Sequence, residues 1–364
     1  MSWTLPEEPR VALVGATGAV GREFLDLLSE RHFPHRELTL FASARSAGTR
    51  LPFRSDGRLH ELPVQALEPG ALEGFDLVFF SAGKGTSREY APQALAAGAL
   101  VVDNSSAFRM DPACPLVVPE VNGQVLDALS GPVIVGNPNC STIIALVAVH
   151  PLHRAARVVR MVVSTYQAAS GAGAAAMQEL EQQARDFAAG APLKTAIFGR
   201  PYLFNLFSHN SAVGTDGYNE EETKLLLESR RIWGDDRVAI TATCVRVPVL
   251  RAHCESINLT FEKPLPEAAA RQLLQDAPGV EVVDDRGGNR FPEPRLAAGR
   301  DPVLVGRIRA DRSQPPGMGL ELFISGDQIR KGAALNAVQI AEWLLPGARR
   351  GAGRSVTAAS HAGR

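Results

Sequence analysis

Hydrophobic positions along the chain change period repeatedly. Residues 11–14 (VALV) form a short apolar run into a glycine-rich turn, and Phe24, Leu27 and Leu28 then recur at helical spacing between Arg22 and Glu30. This predicts strand, turn and helix. Further strand-like runs lie at 38–42, after the Pro34 turn, at 75–80, ending in SAGKG, and at 100–102, ending in DNSS. The alanine-rich stretch 89–97 between the last two is helix-compatible. Such alternation predicts a mostly parallel sheet covered on both faces.

After residue 140 the pattern shifts. An apolar helix is predicted over 141–149, strands rich in Val, Thr and Ile over 158–166, 238–247 and 255–261, and helices over 174–189 and 219–231. That mixture reads as an α+β second domain. An amphipathic helix over 332–345 stops at Pro346, and residues 347–364 have so little to bury that disorder is expected there. No internal repeat is visible.

A length of 364 residues fits two domains, and 45% hydrophobic against 21% charged residues excludes disorder for most of the chain. Lys and Arg (38) nearly balance Asp and Glu (39), so no net field is available for nucleic acid or an anionic membrane. The longest apolar run, 143–149, is far below the roughly 20 residues of a membrane span. Cysteines at 114, 140, 244 and 254 lack C-x-x-C spacing, which argues for a reducing compartment and against structural zinc. The N-terminus MSWTLPEEPR does not read as a signal peptide, so a cytoplasmic protein is expected.

The first chemical signal is GATGAVG, with Gly15, Gly18 and Gly21 spaced by threes around Thr17, Ala19 and Val20. Glycine lets backbone approach a diphosphate, and the following helix offers free N–H groups. A tight turn without ligand is the alternative. At the end of the second strand stand Ser43, Ala44, Arg45 and Ser46, with no acid for a ribose 2′-hydroxyl. NADP is therefore favoured over NAD. Ser81 and Gly83 close the third strand and complete this cofactor set.

The second signal is GNPNCSTIIAL (136–146). Cys140 falls at the start of an apolar helix, where thiolate is stabilised, and Asn139 is placed to donate to an oxyanion. The alternative is a buried small hydrophobe. In CVRVPVLRAHCES (244–256), Arg246 at a strand end suits a carboxylate, and His253 suits proton transfer to a thiol or thiohemiacetal. Dinucleotide plus cysteine implies acyl-enzyme chemistry, in which a thioester passes to an acceptor.

In order, GATGAVG, SARSAG (43–48), DNSSAFR (103–109), PLVVPEVN (115–122), NPNCST (137–142), YQAASGAG (166–173) and RVPVLRAH (246–253) closely resemble the aspartate-semialdehyde dehydrogenase family over about residues 10–345. The resemblance implies an NADPH-dependent interconversion of L-aspartyl 4-phosphate and L-aspartate 4-semialdehyde with release of phosphate, in lysine, threonine and methionine biosynthesis. It assigns Cys140 as nucleophile, His253 as acid/base, Gln167 as the residue orienting the thioester and Arg246 as carboxylate ligand. Glu221, within the run 220–222, and Lys224 match the pair that reads the substrate ammonium and the phosphate, and Arg109 matches a phosphate-binding arginine. Ser170, Gly171 and Asn336 match residues on the nicotinamide side. The implied fold class is α/β, a Rossmann-type dinucleotide-binding domain (1–139 and 333–346) with an α+β catalytic and dimerisation domain (140–332). A homodimer is implied, with a tetramer left open. Two rivals remain, an N-acetyl-γ-glutamyl-phosphate reductase-type enzyme and a catalytically silent NADP-binding paralogue.

Overall fold

The computed structural model describes residues 3–55 and 57–347, so the tail expected to be disordered lies, after its first residue, outside the described residues. Two seven-stranded sheets organise the described residues. The first contains β1 (Arg10–Val14), β2 (Glu37–Ala42), β3 (Arg50–Ser55), β4 (Arg58–Ala66), β5 (Leu77–Phe80), β6 (Leu100–Asp103) and β7 (Ile134–Gly136), in the order β3-β4-β2-β1-β5-β6-β7. Its neighbours run parallel except in the β3/β4 hairpin. β5 and β6 are buried at every residue, the state that continuous apolar runs require of strands covered on both faces. The chain places β2 on one side of β1 and β5 on the other, which opens a crevice at their carboxyl ends.

The second sheet contains β8 (Val158–Gln167), β9 (Phe207–Ser208), β10 (Ala239–Arg246), β11 (His253–Phe261), β12 (Val280–Val282), β13 (Val303–Ala310) and β14 (Gly319–Gly326), in the order β12-β13-β14-β11-β8-β10-β9. β8 runs parallel to β10 and antiparallel to β11. Along β8 and β10 side chains alternate between buried and partly exposed, so this sheet is covered firmly on one face only. Its cover is the helix Cys140–Ala156, whose apolar residues share one core with β8, β10, β11, β13, β14 and the helix Glu220–Trp233.

A separate core unites β1, β2, β5 and β6 with the helices Ala19–Glu30 and Leu335–Trp343. The last described helix therefore returns to the first sheet. The segment read as one helix over 332–345 opens instead as a π turn, Arg330–Ala334. Within it, a Cβ on Gly332 would lie 2.9 Å from Cys140 Cβ, so only glycine lets the turn press against that cysteine.

Candidate active site

The glycine turn closes the crevice between the carboxyl ends of β1 and β5. Gly15 has φ +85°, and a Cβ there would fall 2.4 Å from Ser81 O; a Cβ on Gly21 would fall 2.3 Å from Gly15 O. A side chain is excluded at both positions, which lets the backbone of the turn pack closely. The helices after the two turns, Ala19–Glu30 and Lys84–Ala96, begin at Gly18 and Gly83 with no side-chain cap, leaving their first N–H groups for an anion. Beside them Ser43 precedes a short turn, Ala44–Ser46, in which Arg45 is exposed. These residues fit a dinucleotide diphosphate and, at Arg45, a further phosphate.

Cys140 is the first residue of its helix, and Asn139 caps it: Asn139 Oδ1 accepts from the Ser141 N–H at 3.1 Å. Strand register brings the partners to it. Arg246 on β10 pairs with Gln167 on β8, and Cys254 on β11 pairs with Tyr166, so the strand ends carry Arg246, Gln167 and His253 side by side. Gln167 Nε2 donates to Ser141 Oγ at 3.0 Å and to Glu221 Oε1 at 3.3 Å. A Cβ on Gly171 would stand 3.0 Å from both Arg246 Nη1 and His253 Cε1, which places the loop after β8 over these two groups. Ser170 is held there by Gln328, whose Nε2 donates to its hydroxyl.

The helix Glu220–Trp233 supplies the acids. Of its three leading glutamates, Glu220 is exposed and Glu222 closes a capping box with Asn219, whereas Glu221 is buried and accepts from Asn139 Nδ2 at 2.9 Å. Lys224 Nζ lies 3.3 Å from Glu221 Oε2. Arg109 is buried, with Nη1 3.0 Å from Glu228 Oε1 and Nη2 donating to Asn104 O at 2.7 Å. Its Nε is buried without a protein partner.

Electrostatics divide these groups sharply. Burial, reinforced by Glu221, pushes the Cys140 thiol up to about 12, against the pull of Arg109 and Arg246. Burial also opposes ionisation of Glu221, but His209, Lys224 and hydrogen bonds from Asn139 and Gln167 outweigh it and bring the carboxyl down to about 2. His253 is lowered to about 3 by burial and then by Arg246, so it is neutral at pH 7. Its Nδ1 accepts from the Ala168 N–H at 3.1 Å, which leaves the ring proton on Nε2, a buried atom with no partner. Among the described residues Arg246, 3% exposed, has no acid partner: its hydrogen bonds go to Asn210 Oδ1 at 3.1 Å, Ala168 O at 3.2 Å and His209 Nε2 at 2.7 Å.

Asn336 stands apart from the other nicotinamide-side residues. Fully buried, it donates to Val117 O at 2.9 Å and Asn137 Oδ1 at 2.7 Å and accepts from Lys331 Nζ at 3.0 Å, so both amide protons serve the fold. Sequence reasoning overlooked Glu228 and His209. Glu228 follows Glu221 by two helical turns on the same face, a legible spacing; His209 comes from an irregular loop and left no such mark. Among the described residues no group of three or more His, Cys, Asp or Glu converges as a metal site would need, and no helix is long and apolar enough to cross a membrane.

Comparison with known proteins gives a consistent picture. The semialdehyde dehydrogenase NAD binding domain matches residues 10–129 and the semialdehyde dehydrogenase dimerisation domain matches 149–331. Aspartate-semialdehyde dehydrogenase of Synechocystis sp. is 52% identical over 341 residues, covering 94% of this chain and 98% of that protein. That of Aquifex aeolicus is 48% identical over 338 residues, covering 92% and 98%. Among solved structures, aspartate semialdehyde dehydrogenase II from Vibrio cholerae complexed with ASA has a TM-score of 0.86 at 39% identity, covering 93% of this chain and 98% of that one. Aspartate semialdehyde dehydrogenase with NADP from Candida albicans has a TM-score of 0.70 at 26% identity, with coverage of 93% and 98%.

Proposed function

The chain belongs to the aspartate-semialdehyde dehydrogenase family, and from that premise we propose that it reversibly converts L-aspartyl 4-phosphate to L-aspartate 4-semialdehyde and phosphate through a thioester on Cys140. One observation carries the substrate assignment. Around Cys140 stand a buried guanidinium with no acid partner, Arg246, and a buried ionised carboxylate, Glu221. Arg246 and Glu221 complement the α-carboxylate and α-ammonium of an amino acid, and a buried unpaired cation gains most from such a ligand. An N-acetylated substrate would leave Glu221 facing a neutral amide, which disfavours the N-acetylglutamyl alternative.

Cys140 Sγ bonds to the acyl carbon as the carbon–oxygen bond to phosphate breaks, the thiol proton leaves on the departing phosphate oxygen, and the ion moves toward Arg109 and Lys224. Gln167 and Asn139 hold the acyl group against the nucleophile's turn. His253 donates its Nε2 proton in a hydrogen bond to the carbonyl oxygen as charge builds there; being neutral, it acts as a fixed donor in the manner of an oxyanion hole. When bound, a reduced nicotinamide dinucleotide would supply the hydride for the thioester carbon; the bond from that carbon to Cys140 Sγ then breaks to release the semialdehyde. Gly15, Thr17, Gly18, Ala19, Val20, Gly21, Ser81 and Gly83 would hold its diphosphate, with Ser170, Gly171 and, through Asn137, Asn336 shaping the nicotinamide side. Within a nicotinamide dinucleotide, the acid-free turn Ser43–Ala44–Arg45–Ser46 supports NADP, and the Candida relative was solved with NADP. The enzyme works as a homodimer through its dimerisation domain, in the cytoplasm. Its nucleotide domain comprises 1–139 with 333–346, interrupted by the catalytic domain 140–332.

The test is turnover by purified protein given L-aspartate semialdehyde, phosphate and NADP, followed by the absorbance of reduced nicotinamide. Phosphate-dependent reduction of NADP is expected. Turnover only with the N-acetylglutamate analogue would contradict the substrate, and faster turnover with NAD would contradict the cofactor.

A further inference from the structure

Resting on that reading of Arg109 and Cys140, we propose that Glu228 is a positioning residue that stands in for the substrate's phosphate and joins the phosphate site to the nucleophile's turn. The carboxylate is 2% exposed, and both of its oxygens are committed. Oε1 lies 3.0 Å from Arg109 Nη1, and Oε2 accepts the Asn139 backbone N–H at 2.6 Å. Asn139 is the cap of the helix that begins with Cys140, and its side chain reaches Glu221, two helical turns from Glu228 on the same face. Two glutamates of one helix thus grip the same residue, Glu221 by its side chain and Glu228 by its backbone.

Without phosphate, Arg109 is a buried cation that must be compensated, and Glu228 does this. When phosphate arrives it finds one N–H of Nη1 already on Glu228 and one of Nη2 on Asn104 O, with the Nε–H and the second N–H of each Nη left to donate. Sharing one guanidinium between two anions weakens the hold on phosphate. The ion is then released readily once the thioester has formed, and Glu228 returns Arg109 and Asn139 to their resting geometry.

Steady-state kinetics of Glu228→Gln and Glu228→Asp in the full chain test this in the phosphate-dependent direction. Glu228→Gln keeps an oxygen for the Asn139 N–H but removes the competing charge. The KM for phosphate should fall by about tenfold while the KM for the semialdehyde stays within about twofold, with a lowered kcat. Glu228→Asp keeps the charge at shorter reach, so kcat should fall with little change in the phosphate KM. An unchanged phosphate KM in the glutamine variant overturns the proposal, as does an equal shift of both KM values. If that variant does not fold, loss of all parameters together in the aspartate variant overturns it. Wild-type protein lacking saturable phosphate dependence would instead sink the functional reading itself.

Discussion

Cys140 occupies a helix N-terminus, a position that favours thiolate by roughly 0.3–1 kcal/mol. Removing a charge from water costs several kcal/mol. Partly buried Cys140 loses more by that desolvation, and by the nearby Glu221, than the helix end returns, so the resting thiol stays protonated. The expectation of a stabilised thiolate read the helix end correctly but had no access to the burial. Glu255, on β11 two residues beyond His253, makes the same point more strongly. It is fully buried, neither carboxyl oxygen has a partner, and burial followed by Glu221 raises it well above 4.5. A group whose folded pKa is raised loses stabilisation as pH rises. Wild-type stability should thus decline above the carboxyl's unfolded range by up to about 1.4 kcal/mol per pH unit, until the folded group ionises. Glu255→Gln has no proton to lose. In denaturant titrations its stability relative to wild type should increase as pH rises above the carboxyl's unfolded range. A difference independent of pH would show that Glu255 ionises freely in the fold.

At the scale of elements, the helix Glu220–Trp233 carries much of the site on one face, and its start is set by Asn219. Asn219→Ala removes the capping box and should cost about 1 kcal/mol, or about 2–4 °C in Tm for a domain of this size. An unaltered melting curve would mean that tertiary packing alone fixes the helix start. Elements with strong periodicity were legible in the sequence: the strands at 38–42 and 158–166 and the helices at 174–189 and 219–231 reappear within a few residues. The β3/β4 hairpin was not. Along β3 only Leu51 and Phe53 are buried, between exposed Arg50, Pro52 and Arg54, a short alternation with a proline that reads as loop. The motif residues were legible because their chemistry is local. Arg246's freedom from any acid was not, because it depends on which side chains the sheet register brings together.

Across the whole molecule, ion pairs tie the two cores beside the crevice. Arg251, in the loop leading to His253, pairs with Glu23 at 2.7 Å and Asp327 at 2.6 Å, and Arg330 joins Glu23, Glu30 and Asp301. The helix that opens at the glycine turn is thereby fastened to the segment bearing His253. The net charge of −1 reflects 38 basic against 39 acidic side chains; among the described residues Arg246 and Arg45 make no ion pair. The proposed reaction requires an acyl group to pass through Cys140. The most direct measurement is mass spectrometry of protein quenched in acid after mixing with L-aspartate semialdehyde and NADP without phosphate. One aspartyl group on Cys140, absent from Cys140→Ser and discharged by added phosphate, is predicted; unmodified Cys140 in protein that has reduced NADP would contradict the account.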